Sequence, residues 1–228
     1  ITSDKCYENN EWVWGYRETD RLGGHDPYSS SKACAELAID AYRTSYFTAE
    51  THGRPPSAIA STRAGNVIGG GDWSKDRLIP DIMSALLEDK PITIRNPNAI
   101  RPWQHVLEPL SGYLILAEKL YNGQLKGQIQ NWNFGPNLSS CKPVRYIAEM
   151  FAKSLGLKIK AIKSKNKIFK SETTLLRLSN FKSKKYLKWY PKWELNKSIN
   201  KILEWNKEKR NKKALYICEK QIRGFLKD

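Results

Sequence analysis

Ile1-Thr2-Ser3-Asp4-Lys5, answered at residues 28–32 by Tyr28-Ser29-Ser30-Ser31-Lys32, is the stretch from which the rest of the chain is read. Ile1-Thr2-Ser3 reads as the end of a strand. The serine cluster from Ser29 opens a helix in which Ala33, Leu37 and Ala41 recur at helical spacing as far as about Tyr46. Tyr28 and Lys32 stand four apart, so on that helix they share one face, one turn apart. An ammonium held beside a phenol stabilises the phenolate, which makes a base able to take a proton from a hydroxyl. Asp4 and Lys5 add two titratable groups and Ser3 a hydroxyl from a different part of the chain. A lone Tyr-x-x-x-Lys is a weak signal. An Asp-bearing strand end upstream of it strengthens it, because ligands bind at the carboxyl ends of strands in parallel α/β sheets.

Working outward, residues 6–27 carry Trp12, Trp14, Gly15, Gly23, Gly24 and Pro27 with no sustained period and read as a loop. Ser57–Thr62 reads as a buried strand, residues 65–71 as a glycine-rich loop, and Leu78–Glu88 as a helix. Short strands are expected at Ile92–Ile94 and Trp103–Val106, a helix at Leu110–Tyr121, and a strand at Ile129–Asn133. Residues 143–155 form an amphipathic helix, Lys158–Ile162 alternates like an edge strand, and Leu195–Phe225 reads as two helices. Alternation of strands and helices over the first two-thirds predicts an α/β fold with a parallel sheet.

The 228 residues are 40% hydrophobic and 27% charged, an ordinary globular balance. No apolar run reaches the roughly eighteen residues of a membrane span. Four isolated cysteines (Cys6, Cys34, Cys141, Cys218) and three histidines make no zinc pattern. Reduced thiols in a cytoplasmic protein, with no metal, are the simplest account. The net charge of +16 is unevenly placed: residues 1–150 hold 16 basic and 17 acidic side chains, residues 151–228 hold 23 and 6. Stretches such as 163–167 and 207–213 are rich in lysine. They read as a solvated face in a Lys- and Asn-rich sequence, with a nucleic-acid or acidic-membrane surface as the other reading.

Five blocks carry a family resemblance: Thr2-Ser3-Asp4-Lys5-Cys6-Tyr7, Trp14-Gly15-Tyr16-Arg17-Glu18, residues 24–32, residues 63–73 and Ile100-Arg101-Pro102-Trp103-Gln104-His105-Val106. Together they resemble the CDP-glucose 4,6-dehydratases, a branch of the extended short-chain dehydrogenase/reductases, densely to about residue 150 and weakly beyond it. The resemblance implies a Rossmann-like doubly wound parallel sheet with its N-terminal part missing, plus a smaller α/β substrate-binding lobe. The partial Rossmann core would lie mainly in 1–65 with returns near 103–135, and the lobe mainly in 66–100 and 136–228.

It also implies chemistry: oxidation of a nucleotide-linked glucose at C4, loss of water across C5–C6 and reduction at C6, with NAD as cofactor. Tyr28 would be the base at the C4 hydroxyl, and Lys32 would assist it and hold the nicotinamide ribose. Ser3 would hydrogen-bond the C4 oxygen, and Asp4 would protonate the departing C6 hydroxyl. Lys5 stands where the dTDP-glucose relatives have Glu. It would be either the base at C5 or a group that orients Asp4 or stabilises the enolate. Asn66 and Arg101 match phosphate ligands of the nucleotide sugar, and Arg77 would reach the nucleotide.

A dinucleotide fold needs a glycine-rich turn between a strand and a helix, and no such unit occurs in these residues. In the family it lies upstream of the Thr-Ser-Asp-Lys strand. The chain therefore reads as the carboxyl-terminal two-thirds of the enzyme, expected to bind NAD weakly or not at all by itself and to be inactive alone. A homo-oligomer is expected of the intact enzyme, through the small-residue helix at 33–41. The alternatives are a nucleotide-sugar 4-epimerase, which shares the Tyr/Lys pair, and a non-catalytic basic or nucleic-acid-binding fragment.

Overall fold

The computed structural model describes residues 1–47, 58–74, 77–94, 96–125, 130–159, 162–164, 173–209 and 211–228. Ser57, Ile129, residues 160–161 of the expected edge strand and part of the lysine runs at 163–167 and 207–213 lie outside them. In chain order the principal elements are α1 (Pro27–Tyr46), β1 (Ser61–Ala64), β2 (Asn66–Ile68), α2 (Leu78–Leu87), β3 (Ile92–Ile94), β4 (Ile100–His105), α3 (Leu107–Tyr121), β5 (Asn131–Phe134), β6 (Cys141–Pro143), α4 (Val144–Leu155), β7 (Ile162–Ser164), α5 (Leu195–Glu208) and α6 (Ala214–Lys227). The described chain forms two compact units.

The first unit comprises Ile1–Gly65, Pro109–Gly135 and Arg177–Tyr190. Its β1 and β5 run parallel, from Ser61 opposite Asn131 to Ala64 opposite Phe134. Parallel strands need a crossover connection, and α3 lies within it. The core is aromatic: Trp132, Phe134 and Trp189 pack with Leu116, Leu125 and Leu187. Helix α3 lies over Phe134 only because residue 112 is glycine; a Cβ there would stand 2.2 Å from the Phe134 ring. Trp189 packs edge-on to Phe134 and donates its indole N–H to Ser111 Oγ at 3.1 Å. Ile1–Ser3 is not a strand, but Thr2 N–H donates to Thr62 O of β1 at 2.8 Å.

The second unit comprises Asn66–Glu108, Pro136–Leu176 and Pro191–Asp228. Its strand β4 changes neighbours along its length. Ile100–Pro102 pairs antiparallel with β6, while Trp103–His105 pairs parallel with β2. Strands β3 and β7 form a second parallel pair. Ile82 of α2, Ile147 and Phe151 of α4, and Ile199 and Ile202 of α5 meet in one apolar core.

Besides Ile1–Ser3, three strand readings change. Asn66–Ile68 of the expected glycine-rich loop is strand β2, because β4 offers it a ladder. Strand β4 begins at Ile100 rather than Trp103, since Pro102, which cannot donate to a ladder, hid its first half. Strand β1 runs to Ala64, two residues past its expected end, because β5 pairs with it as far as Phe134, while the charge of Arg63 hid this in the sequence.

Candidate active site

The first unit carries Ser3, Asp4, Lys5, Tyr28 and Lys32. Asp4–Cys6 is a single 3-10 turn whose N-cap is Ser3: Ser3 Oγ accepts from Lys5 N–H at 3.2 Å and donates to Asp4 Oδ1 at 3.1 Å. The turn packs against α1 and buries Asp4, while Lys5 stays half-buried. Helix α1 starts where it does because Asp26 caps it. The carboxylate accepts from Ser29 N–H at 3.0 Å and Ser29 Oγ at 2.6 Å, with Pro27 in the first turn. Those two bonds, the Ser29 hydroxyl first, hold the Asp26 carboxyl below its ordinary range. The loop before α1 lies tight on it through Gly24, where a Cβ would come within 2.4 Å of Ser29.

Ser29, Ala33 and Glu36 form the buried stripe of α1, and Tyr28 and Lys32 flank it. Tyr28 is 55% exposed, and the Lys32 ammonium lies 5.4 Å from its ring centroid. Among the described residues the Tyr28 hydroxyl makes no hydrogen bond, so it is open to a ligand. Of the small residues noted on this helix, Ala33 faces inward and Ala38 and Ala41 are exposed.

Beneath the turn lies a polar core that the sequence did not announce. Arg63 and Glu36 are both fully buried and paired at 2.7 Å. Glu36 also accepts from Ser61 Oγ at 2.7 Å and from the Thr2 hydroxyl. Burial pushes the Glu36 carboxyl up, but the bonds from Arg63, Thr2 and Ser61 outweigh it and hold the group ionised. Arg63 donates to Tyr7 Oη at 2.7 Å, and Tyr7 Oη donates to Asn133 Oδ1 at 2.7 Å. Burial pushes the Tyr7 phenol up, and pushes the Cys6 thiol up to about 12, so Cys6 is an inert thiol. The available signal was the spacing of Glu36, one turn beyond Lys32 and two beyond Tyr28.

Asn66, Arg77 and Arg101 belong to the second unit. Asn66 opens β2 half-buried, opposite Trp103. Arg77 is the exposed N-cap residue of α2 and makes no side-chain cap. Arg101 is buried on β4, its guanidinium donating to Ile100 O at 3.0 Å and to Thr173 O. A cavity of about 920 Å³ in the same unit, walled by Trp73, Met83, Leu87, Leu155 and Leu203, contains none of the three. Among the described residues there is no group of three or more His, Cys, Asp or Glu side chains placed to hold a metal ion, and no helix is long and apolar enough to cross a membrane.

The model of the NAD dependent epimerase/dehydratase family matches residues 1–133. The chain belongs to this family. A curated relative, the CDP-glucose 4,6-dehydratase of Salmonella typhimurium, is 45% identical over 221 residues, which are 97% of this chain and 61% of that protein. The chain thus spans about three-fifths of the length of that relative. Among solved structures, a dTDP-glucose 4,6-dehydratase from Bacillus anthracis in complex with NAD aligns with a TM-score of 0.74 at 23% identity, over 91% of this chain and 60% of that one. A UDP-glucuronic acid 4-epimerase from Bacillus cereus, in complex with UDP-glucuronic acid and NAD, aligns at 0.68 and 17% identity, over 87% of this chain and 57% of that one. These two likenesses establish the Rossmann-type α/β fold of the family.

Proposed function

We propose that the protein containing these residues dehydrates CDP-glucose to CDP-4-dehydro-6-deoxyglucose with NAD as cofactor. The observation that carries the reading is Asp4, a buried carboxyl held by Ser3 on the turn that packs against the helix of Tyr28 and Lys32. The identity of 45% to a CDP-glucose 4,6-dehydratase supports both the reaction and the nucleotide. NAD, when bound, supplies a store for the hydride lost at C4 and regained at C6. The residues present fit its ribose end: an open phenol with an ammonium beside it, on the first turns of α1.

Tyr28 takes the C4 hydroxyl proton, with the Lys32 ammonium 5.4 Å from its ring centroid. Ser3 turns its hydroxyl from Asp4 to the C4 oxygen when substrate is bound. The C4 ketone acidifies the C5–H, and Asp4 gives its proton to the C6 hydroxyl as water leaves. Lys5, as the neutral amine, accepts the C5 proton; where it instead orients Asp4 or stabilises the enolate, that proton passes to water. Arg101, Arg77 and Asn66 supply the fork donors and amide that suit a diphosphate. The reading extends to a homo-oligomer in the cytoplasm that supplies deoxysugars for lipopolysaccharide O-antigen. The exposed Leu37, Tyr42 and Tyr46 of α1 support the first part, and four free cysteines support a reducing compartment.

A 4-epimerase needs the tyrosine–lysine pair but no acid at C6, so the placement of Asp4 favours dehydration over that alternative. Nucleic-acid binding is disfavoured by the lysines of α5, of α6 and of the turn between them, several of which are engaged: Lys220 with Glu204 and Glu208, Lys212 with Glu208, Lys201 with Glu204. Asp4→Asn tests the assignment. It should leave C4 oxidation in place, seen as accumulating reduced nicotinamide, and slow release of the 4-keto-6-deoxy product by about 10²-fold or more. Product formation at the parent rate would remove Asp4 from the mechanism.

A further inference from the structure

The Glu36–Arg63 pair grips the turn from Ser3 to Cys6 at both ends. Thr2, immediately before the turn, donates its hydroxyl to Glu36 Oε1. Tyr7, immediately after it, accepts from Arg63 Nη1 at 2.7 Å. The other carboxylate oxygen, Glu36 Oε2, takes Arg63 Nη2 at 2.7 Å and Ser61 Oγ at 2.7 Å, which ties the pair to β1. Arg63 Nη1 also reaches Glu18 O at 3.3 Å, and Glu18 in turn accepts from Asn133 N–H at 2.9 Å, which ties it to β5. Glu36 belongs to α1, one helical turn past Lys32 and two past Tyr28, and a helix transmits position along its axis with little give.

We propose that Glu36 and Arg63 are positioning residues that set where Ser3 and Asp4 stand relative to Tyr28 and Lys32. The inference rests on the reading of those four as the reacting groups. Both members are fully buried. A buried ion pair is expensive to desolvate, and well-packed apolar residues of similar volume often replace one without loss of stability. Stability alone therefore gives little reason for charge here, whereas orientation does. One carboxylate and one guanidinium fix three hydroxyl partners (Thr2, Ser61, Tyr7) in directions that apolar packing cannot specify. The short turn has no freedom to move while both its flanks are held.

The test severs the grips and leaves the charges paired, in the double variant Thr2→Val/Tyr7→Phe. In the gene product that contains these residues, peptide-resolved alkylation reports the accessibility of Cys6, which is buried on the turn itself. The expected result is Cys6 modification at least tenfold faster than the accompanying fall in urea midpoint accounts for. In the gene product that contains these residues, kcat for CDP-glucose should fall at least tenfold with KM within twofold. A merely structural pair would instead accelerate labelling only in proportion to lost global stability. Unchanged Cys6 labelling, or faster labelling with unchanged kcat, overturns the proposal. If the parent gene product has no dehydratase activity, the functional reading fails, while Cys6 labelling still decides whether the pair holds the turn. Should Thr2→Val/Tyr7→Phe fail to fold, Glu36→Met/Arg63→Met removes both charges together. Faster Cys6 labelling with a tenfold loss of kcat then supports the proposal, and unchanged labelling or unchanged kcat overturns it.

Discussion

His105, the last residue of β4, is buried edge-on against Trp193, its Nδ1 accepting from Leu107 N–H at 3.3 Å. Burial and the nearby Lys201 cation push its imidazole down to about 4. The unfolded chain, with an ordinary histidine near 6.5, takes up a proton that the folded chain refuses between those values. Stability is therefore lost as pH falls through that window and levels off below it, amounting to about 2 kcal/mol between pH 7 and 4.5. Urea unfolding at the two pH values should show this component in the parent and not in His105→Leu. Glu18 and Glu108, whose carboxyls burial pushes up, act with the opposite sign in both proteins and cancel in the comparison. Equal pH dependence in the two would contradict the assignment. Tyr28 and Lys32 were legible at this scale because a spacing of four on a helix is a local fact. Glu36 and Arg63 were not, because a charged residue is buried only where distant partners meet it, here Thr2, Tyr7 and Ser61.

Among the elements, α1 depends on its start. Asp26→Ala removes the acceptor for two donors of Ser29 and should cost about 1 kcal/mol, measured by urea unfolding. An unchanged midpoint would mean that the cap contributes nothing. Helix α3 depends on a close approach. Gly112→Ala forces a methyl to within 2.2 Å of Phe134 and should cost about 1–3 kcal/mol by the same measurement, despite the better helix propensity of alanine. The helices were the most legible elements, since their caps and periodicities lie within each segment. Strands β2 and β4 were not. A three-residue strand beside glycines, or one interrupted by Pro102, becomes a strand only when its neighbour supplies the ladder, and no local pattern records the neighbour.

For the whole molecule, the α/β class followed from alternation of strands and helices. Its division into two units draws each unit from three separate stretches, joined by long-range contacts that periodicity does not encode. In residues 151–228 lysines of α5 pair with acids of their own element and of the C-terminus, Lys201 with Glu204 and Lys197 with Asp228 at 2.8 Å, but 6 acidic against 23 basic side chains leave the net excess in place. The chain should bind generic DNA no more tightly than the non-specific range of about 10⁻⁴–10⁻⁶ M at physiological salt, which a salt titration of binding checks. The most direct test of the account is the fate of hydrogen at C5. When the gene product that contains these residues is incubated with CDP-glucose and NAD in deuterium oxide, a 4-keto-6-deoxy product carrying solvent deuterium at C5 is predicted. A C4 epimer free of solvent deuterium would contradict the account.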